Sequence, residues 1–410
     1  MKHFVIPMIA VLPTTLALMA TGCEEAGPVG SAVRDSAGIT IVENTAPAWN
    51  EETSWRLSET PVVTIGVVEG DAAYELFRSR GAARLTDGRI VIATGGTHEL
   101  RFYTLSGEHL RNVGGEGSGP GEFQLLTMMR RFIGDSLMTY DLSLQRISVF
   151  DSEGMHIRDV NLATEGRLLP TIAGRFSDGS YLGQLTKPLM GPNTPELTPG
   201  MIRDSVTALR VGATGATFDT IGTFPSRMMQ VERISLAGNT VALPFSIHFS
   251  PEAILAIDGD GMIVGTSEVY EVRFYSVDGS LRRIVRKQYV PLPVTQADVD
   301  AAVAHEIETA PRNLPDEALD LLDKMRAPTS MPAYRSFLTD AEGNLWVEEY
   351  RRVGDEIPRW SVFDLEGRWL GLVTGPERLR VMDIGADYVL GIATDDMDVE
   401  QARMYRLVKP

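Results

Sequence analysis

Cys23 is the only cysteine in a chain of 410 residues, and it follows closely on an apolar stretch, residues 4–20. A single thiol excludes a disulfide within the chain and any metal site built on cysteine pairs. The six histidines, His3, His98, His109, His156, His248 and His305, are scattered, and none forms H-E-x-x-H or another local ligand spacing. No G-x-S-x-G nucleophile elbow occurs. The remaining groups with chemical capacity are acids. Asp258-Gly-Asp260-Gly opens like a calcium loop but lacks the later ligands and the bidentate Glu, which leaves a tight β-turn. Asp395, Asp396, Asp398 and Glu400 form an acidic run that could hold Ca2+ if carbonyl oxygens converge on it, or stand as a solvated loop. Glu348 and Glu349 close a predicted strand and are read as pointing toward a central funnel. With His98 in a predicted loop, these acids are the polar-site candidates; no catalytic residue and no metal ligand is assigned.

The elements that position them recur. A turn followed by a strand appears six times: DGRIVIA (87–93), GDSLMTY (134–140), DGSYLGQ (178–184), DGMIVGT (260–266), EGNLWVE (342–348) and ADYVLGI (386–392). Each is read as a tight turn leading into an alternating, half-buried strand. Successive copies lie 47, 44, 82, 82 and 44 residues apart. A second signature, a strand ending in a turn, follows the first: ELRFYTLSG (99–107), RISVFDSEG (146–154), EVRFYSVDG (271–279), RWSVFDLEG (359–367), and a weaker VTALRVGATG (206–215). No complete extra pair fits into either interval of 82 residues. A period of about 40–45 residues with several strands per repeat is the pattern of a β-propeller. The expected fold is therefore all-β, a six-bladed propeller over residues 39–410 with insertions.

The sixth repeat has room for only three strands before Pro410, so PVVTIG (61–66) is predicted to supply the fourth and close the ring. ITIVEN (39–44) is predicted as an outer edge strand. The long segments 186–203, 225–251 and 291–332, with the acidic 393–401, all fall in connections between strands 2 and 3 or between blades. They therefore share one face, which is read as the working face because variable loops on a rigid scaffold carry most binding. The 291–332 insertion, between blades 4 and 5, is predicted helical. Thr295 and Asp298 make a capping box, then Val299, Val303 and Ile307 follow at helical spacing, and a second helix runs through Leu314, Ala318, Leu322 and Met325. Its apolar stripe is expected to lie on the propeller's own rim.

Two resemblances complete the reading. Met1-Lys2-His3, the apolar 4–20 and the small residues Ala20, Thr21 and Gly22 before Cys23 resemble a bacterial lipoprotein signal, with Ala20 where a Leu is usual. The resemblance implies removal of 1–22, lipid attachment to Cys23, a tether over 23–38 and a place in the cell envelope, on a periplasmic or outer-membrane face. The connection GGEGSGPGEF (114–123) and the repeated "vFD-x-x-G" strand ends resemble NHL-type six-bladed propellers, most of all bacterial propeller lipoproteins. That implies a fold and an address. The anchor, the one-sided long segments and the absence of catalytic motifs point to a binding or scaffolding module for a protein or glycan. Other six-bladed propellers are metal-dependent hydrolases or lyases, lactonases among them, and that is the alternative. The Gly-rich string fits no phosphate-binding motif. With 38 Lys and Arg against 55 Asp and Glu, the net charge of −17 repels phosphate backbones, so nucleic acid is not an expected partner.

Overall fold

Each of the six turn signatures leads into a strand: Ile90–Thr94, Ser136–Asp141, Tyr181–Thr186, Gly261–Gly265, Leu345–Glu349 and Tyr388–Thr394. The structure is a computed structural model that describes residues 30–410 apart from 163–169, 190–195, 237–238, 310–320, 323–324 and 326. Every one of these strands is the second of an antiparallel meander, and the described strands form six sheets of four to six strands. The turns are tight because glycine accepts a left-handed backbone. Gly154 sits at φ 76°, and a Cβ there would lie 2.7 Å from Val113 and 2.9 Å from Phe102.

The second strands are buried on both faces. Ile90–Thr94 and Gly261–Gly265 are buried at every residue, where the alternation in sequence predicts one wet face. The reason is face-to-face stacking of the sheets. Neighbouring residues of one strand enter different cores: Val91 packs with Leu137 and Phe150 of the second sheet, while Ile92 packs with Leu390 of the sixth. Likewise Val347 joins Ile263 of the fourth sheet, and Trp346 joins Val389 of the sixth. Tyr140 with Tyr181 and Leu182 with Met262 complete the circuit between the second, third and fourth sheets. Six apolar cores thus link six sheets into a ring, the β-propeller arrangement.

The ring closes as the sequence predicts. Val63–Ile65 pairs antiparallel with Glu400–Val408, setting Ile65 against Ala402 and Val63 against Met404. Ile39–Asn44 is the predicted edge strand, and it pairs parallel with Leu281–Lys287 on the outside of the fourth sheet. Ser31–Ser36, expected as tether, is a further strand paired with Ile39–Asn44. Asp35 and Gly38 make the turn between them, with the Gly38 N–H donating to Asp35 Oδ1 at 3.2 Å.

The third sheet departs from the expected plan. Gly200–Val211, Phe218–Leu236 and Asn239–Ser246 run on as paired strands, so 225–246 is a β-arm where a loop is expected. The arm leaves on the same face as the other long segments. The helix Gln296–Thr309 lies beside it, with Val303, Leu322 and Met325 packed against Phe245. Its capping box is present: the Thr295 N–H donates to Asp298 Oδ2 at 2.8 Å, and the Asp298 N–H to Thr295 Oγ1 at 3.3 Å. Arg352 pairs with Asp298 and ties the helix to the fifth sheet. Leu314 and Ala318 of the predicted second helix lie outside the described residues.

Candidate axial binding site

The first strand of each sheet stands at the centre of the ring: Ser79–Arg84, Leu126–Phe132, Thr171–Arg175, Ile254–Asp258, Tyr334–Thr339 and Leu379–Ile384. All six contribute to the wall of one cavity of about 270 Å³. The small residues Ala82, Ala173, Gly174 and Ala256 form part of its apolar wall. The lining residues come from the middle and final residues of these strands, such as Arg131, Arg175, Thr339 and Asp383. The mouth therefore opens among the short turns between first and second strands, opposite the face that carries the arm and helix.

Four lining residues are charged: Arg130, Arg131, Arg175 and Asp383. The Arg175 guanidinium lies 4.8 Å over the Phe132 ring, a cation–π contact that occupies none of its N–H groups. Among the described residues no acid pairs with Arg130 or Arg175. Arg130 is exposed to the bore, and crowding by the surrounding wall lowers its pKa while Asp383 acts to raise it; an arginine keeps its proton at any working pH. Arg131 is partly buried, which acts to lower its pKa, but Asp383 and Asp135 outweigh that and raise it. Its Nη1 lies 3.4 Å from Asp135 Oδ1, and its Nη2 lies 3.9 Å from Asp383 Oδ1. Asp383 Oδ2 accepts from the Tyr388 hydroxyl at 2.6 Å and from the Arg84 N–H at 2.9 Å. Burial and the neighbouring Asp383 charge push the Tyr388 phenol above its ordinary range, so it stays a donor. The Nε atoms of Arg131 and Arg175 are buried with no hydrogen-bond acceptor.

The candidates named from sequence are not brought together. Glu348 and Glu349 point to opposite sides of their strand. Glu348 turns toward the inner strand, accepting from Ser336 Oγ at 2.7 Å and pairing with Arg351 at 3.0 Å. Glu349 turns between the fourth and fifth sheets, where its Oε1 accepts from Lys287 Nζ at 2.7 Å, Tyr270 at 2.8 Å and Ser361 at 2.6 Å. Lys287 also stands over the rings of Tyr270 and Trp369, at 4.2 and 4.6 Å. Burial lowers the Lys287 pKa while Glu349 acts to raise it. This is a clasp between sheets. His98 sits in a loop at φ 60° with its Nδ1 buried and unpartnered, apart from the acids. Asp395 accepts from the N–H groups of Met397 and Val399 within its own turn, and Asp396 pairs with Arg378 at 2.7 Å. Asp398 takes a left-handed conformation at φ 59° in the same turn. Among the described residues no three His, Cys, Asp or Glu side chains meet as a metal site requires. Asp258 pairs with Arg282 at 3.2 Å, as a surface turn would. Cys23 lies outside the described residues.

The axial residues are missed from sequence because the inner strands carry no turn signature. The available signal is LTMMRRF, in which two adjacent arginines end an apolar strand. A second groove of about 330 Å³, between the fourth and fifth sheets, is less suited to a ligand. Its charged residues are already engaged, Arg282 with Asp258 at 3.2 Å and Asp364 with Arg368 at 3.0 Å.

No protein-family model matches the chain, and no curated protein is significantly similar to it in sequence. Solved structures are similar in shape. A member of the DUF4221 family from Bacteroides vulgatus superposes with a TM-score of 0.51 at 10% identity, covering 88% of this chain and 100% of that one. A presumed exported protein from Bacteroides fragilis gives a TM-score of 0.48 at 12% identity, over 90% of this chain and 100% of that one. Virginiamycin B lyase from Staphylococcus aureus gives 0.39 at 9% identity, over 87% of this chain and 100% of that one. At these identities the first likeness speaks to fold alone, and the other two carry no argument about this chain. No helix among the described residues is long and apolar enough to cross a membrane.

Proposed function

We propose that the chain is a lipid-anchored, six-bladed propeller of the bacterial cell envelope that acts as a binding module, with the axial cavity as its ligand site. The observation that carries this reading is the convergence of six inner strands on one polar cavity. A concave site with an apolar wall and a few converging polar groups is the usual form of a small-molecule site. Its charged groups are suited to holding rather than to proton transfer: arginines stay protonated, and Asp383 is engaged by Tyr388 and Arg84.

An anchor at Cys23 would also orient the molecule. The Gly30 carbonyl accepts from the Thr45 N–H at 2.7 Å, and the Asn44 carbonyl from the Gln288 N–H at 2.7 Å. Both contacts lie at the long-loop end of the fourth sheet. The seven residues from Cys23 to Gly30 reach at most about 25 Å. The arm and helix would then sit nearest the membrane, with the axial mouth facing away. A protein or glycan partner of the scaffolding kind is the second reading, favoured by the arm and helix that build up one face. For the metal-dependent hydrolase or lyase, the axial wall offers one carboxylate and no histidine.

Two experiments test the proposal. The mature protein, extracted in detergent, is screened by thermal shift against small metabolites, beside a Thr339→Trp variant that fills the mouth. Hits lost in the variant support the axial site; hits kept in full contradict it. Cys23→Ala in cells should move the protein from the membrane to the soluble fraction, and unchanged membrane retention would contradict the anchor.

A further inference from the structure

We infer that the axial cavity takes a small anion bearing a carboxylate or phosphate group, an inference that rests on that cavity being the ligand site. The chain as a whole carries a net charge of −17, so a generic surface of this protein repels anions. The axial wall inverts that balance, with three arginines against one aspartate. The aspartate offsets only part of that charge, acting on Arg130 and Arg131. Asp383 Oδ2 already accepts from Tyr388 and the Arg84 N–H, and its Oδ1 stands 3.9 Å from Arg131. Arg131 is shared between Asp383 and Asp135, Arg130 feels Asp383 without forming an ion pair with it, and Arg175 has no acidic partner among the described residues.

The second observation is the state of Arg175. Its Nε is closed to solvent, and its terminal nitrogens have no hydrogen-bond or ion-pair partner among the described residues, so these are the atoms that a ligand in the bore can reach. The Phe132 ring supports the Arg175 guanidinium from 4.8 Å and leaves its terminal N–H groups for a two-point contact. The fork of a guanidinium matches the paired oxygens of a carboxylate or phosphate, and such charge-assisted contacts are stronger than neutral ones. Low-dielectric walls around the bore strengthen them further. A cavity of 270 Å³ has the volume of about nine liquid waters. That is room enough for a phosphate or a short dicarboxylate. Ala173, Gly174 and Ala256 would border the apolar part of such a molecule.

The test is isothermal calorimetry on the mature protein at low salt, with inorganic phosphate and succinate as separate probes. One site per chain is expected for at least one probe, weakening as salt is added. Arg130→Met and Arg175→Met should each weaken it by about tenfold to a hundredfold. Arg175→Lys should restore only part of the loss, because an ammonium lacks the fork. Binding of phosphate alone or succinate alone assigns the anion's chemistry. No heat from either probe at about 10 mM, or equal binding by the Arg130→Met/Arg175→Met double variant, overturns the inference. Where a variant fails to fold, saturation-transfer NMR on the unaltered chain compares succinate with neutral 1,4-butanediol, and equal signals overturn it. Neutral ligands that bind and are blocked by Thr339→Trp would leave the axial binding module standing while removing the anion.

Discussion

Glu349→Ala should destabilise the protein without touching ligand binding. Glu349 Oε1 gathers three donors, Lys287 at 2.7 Å, Tyr270 at 2.8 Å and Ser361 at 2.6 Å, between the fourth and fifth sheets. Removing the carboxylate leaves Lys287 charged at a side-chain exposure of 7%. Breaking one partner of a buried pair costs about 3–5 kcal/mol. Two features reduce that figure. Lys287 keeps its contacts with the rings of Tyr270 and Trp369, which hold a desolvated cation by about 1–2 kcal/mol. Glu349 itself is 23% exposed, so water can reach part of the site. The expected loss is about 2–3 kcal/mol, read by urea unfolding as a lower midpoint at unchanged slope. Replacing both partners, Lys287→Met with Glu349→Leu, should recover most of it, because no uncompensated charge remains. A single variant as stable as the native chain, or one that loses ligand binding at full stability, would refute the clasp and return Glu349 to the functional candidates.

Two further outcomes follow from the ring and its appendages. Ile65→Ala empties a site that is 1% exposed in the strand that closes the ring, and should cost about 2–5 kcal/mol by calorimetry. A loss below 1 kcal/mol would mean that the N-terminal strand is not part of the closed core. Asp298 is held down to about 2, first by Arg352 and then by Thr295, so its ionised form favours the folded state. That contribution is present above the ordinary carboxylate range and is lost as pH falls from about 4 to 2, some 1–2 kcal/mol after allowance for nearby water. Asp298→Asn should therefore flatten the acid limb of stability against pH, and an unchanged limb would count against the pair.

The fold was legible because turns announce themselves. Gly88, Gly154, Gly179 and Gly343 occupy left-handed conformations that few other residues accept, and each marks the start or end of a strand. The closing strand was legible as well, since PVVTIG matches a missing fourth strand in kind and in count. The second strands were harder to read. Reading them as half-buried overlooks that Ile90, Val91, Ile92 and Ala93 form an unbroken apolar run, which a ring of stacked sheets buries on both faces. The strands of the arm carry neither repeated signature, so sequence leaves them in a connection, although Val231 and Ile234 are buried in the structure. The acids drew attention in sequence because they cluster along the chain. Sequence neighbours on a strand point apart, so Glu348 and Glu349 part company in space. The axial arginines come from different blades, Arg130 and Arg131 from the second sheet and Arg175 from the third, and meet Asp383 of the sixth only when the ring closes. No local spacing records that meeting.

The most direct test of the axial site is anomalous diffraction from a crystal of the mature protein soaked in selenate, a tetrahedral oxyanion with a strong selenium signal. The account predicts one principal peak inside the bore, within hydrogen-bond reach of Arg130, Arg131 or Arg175. A bore without selenium beside well-occupied peaks on the long-loop face would contradict it.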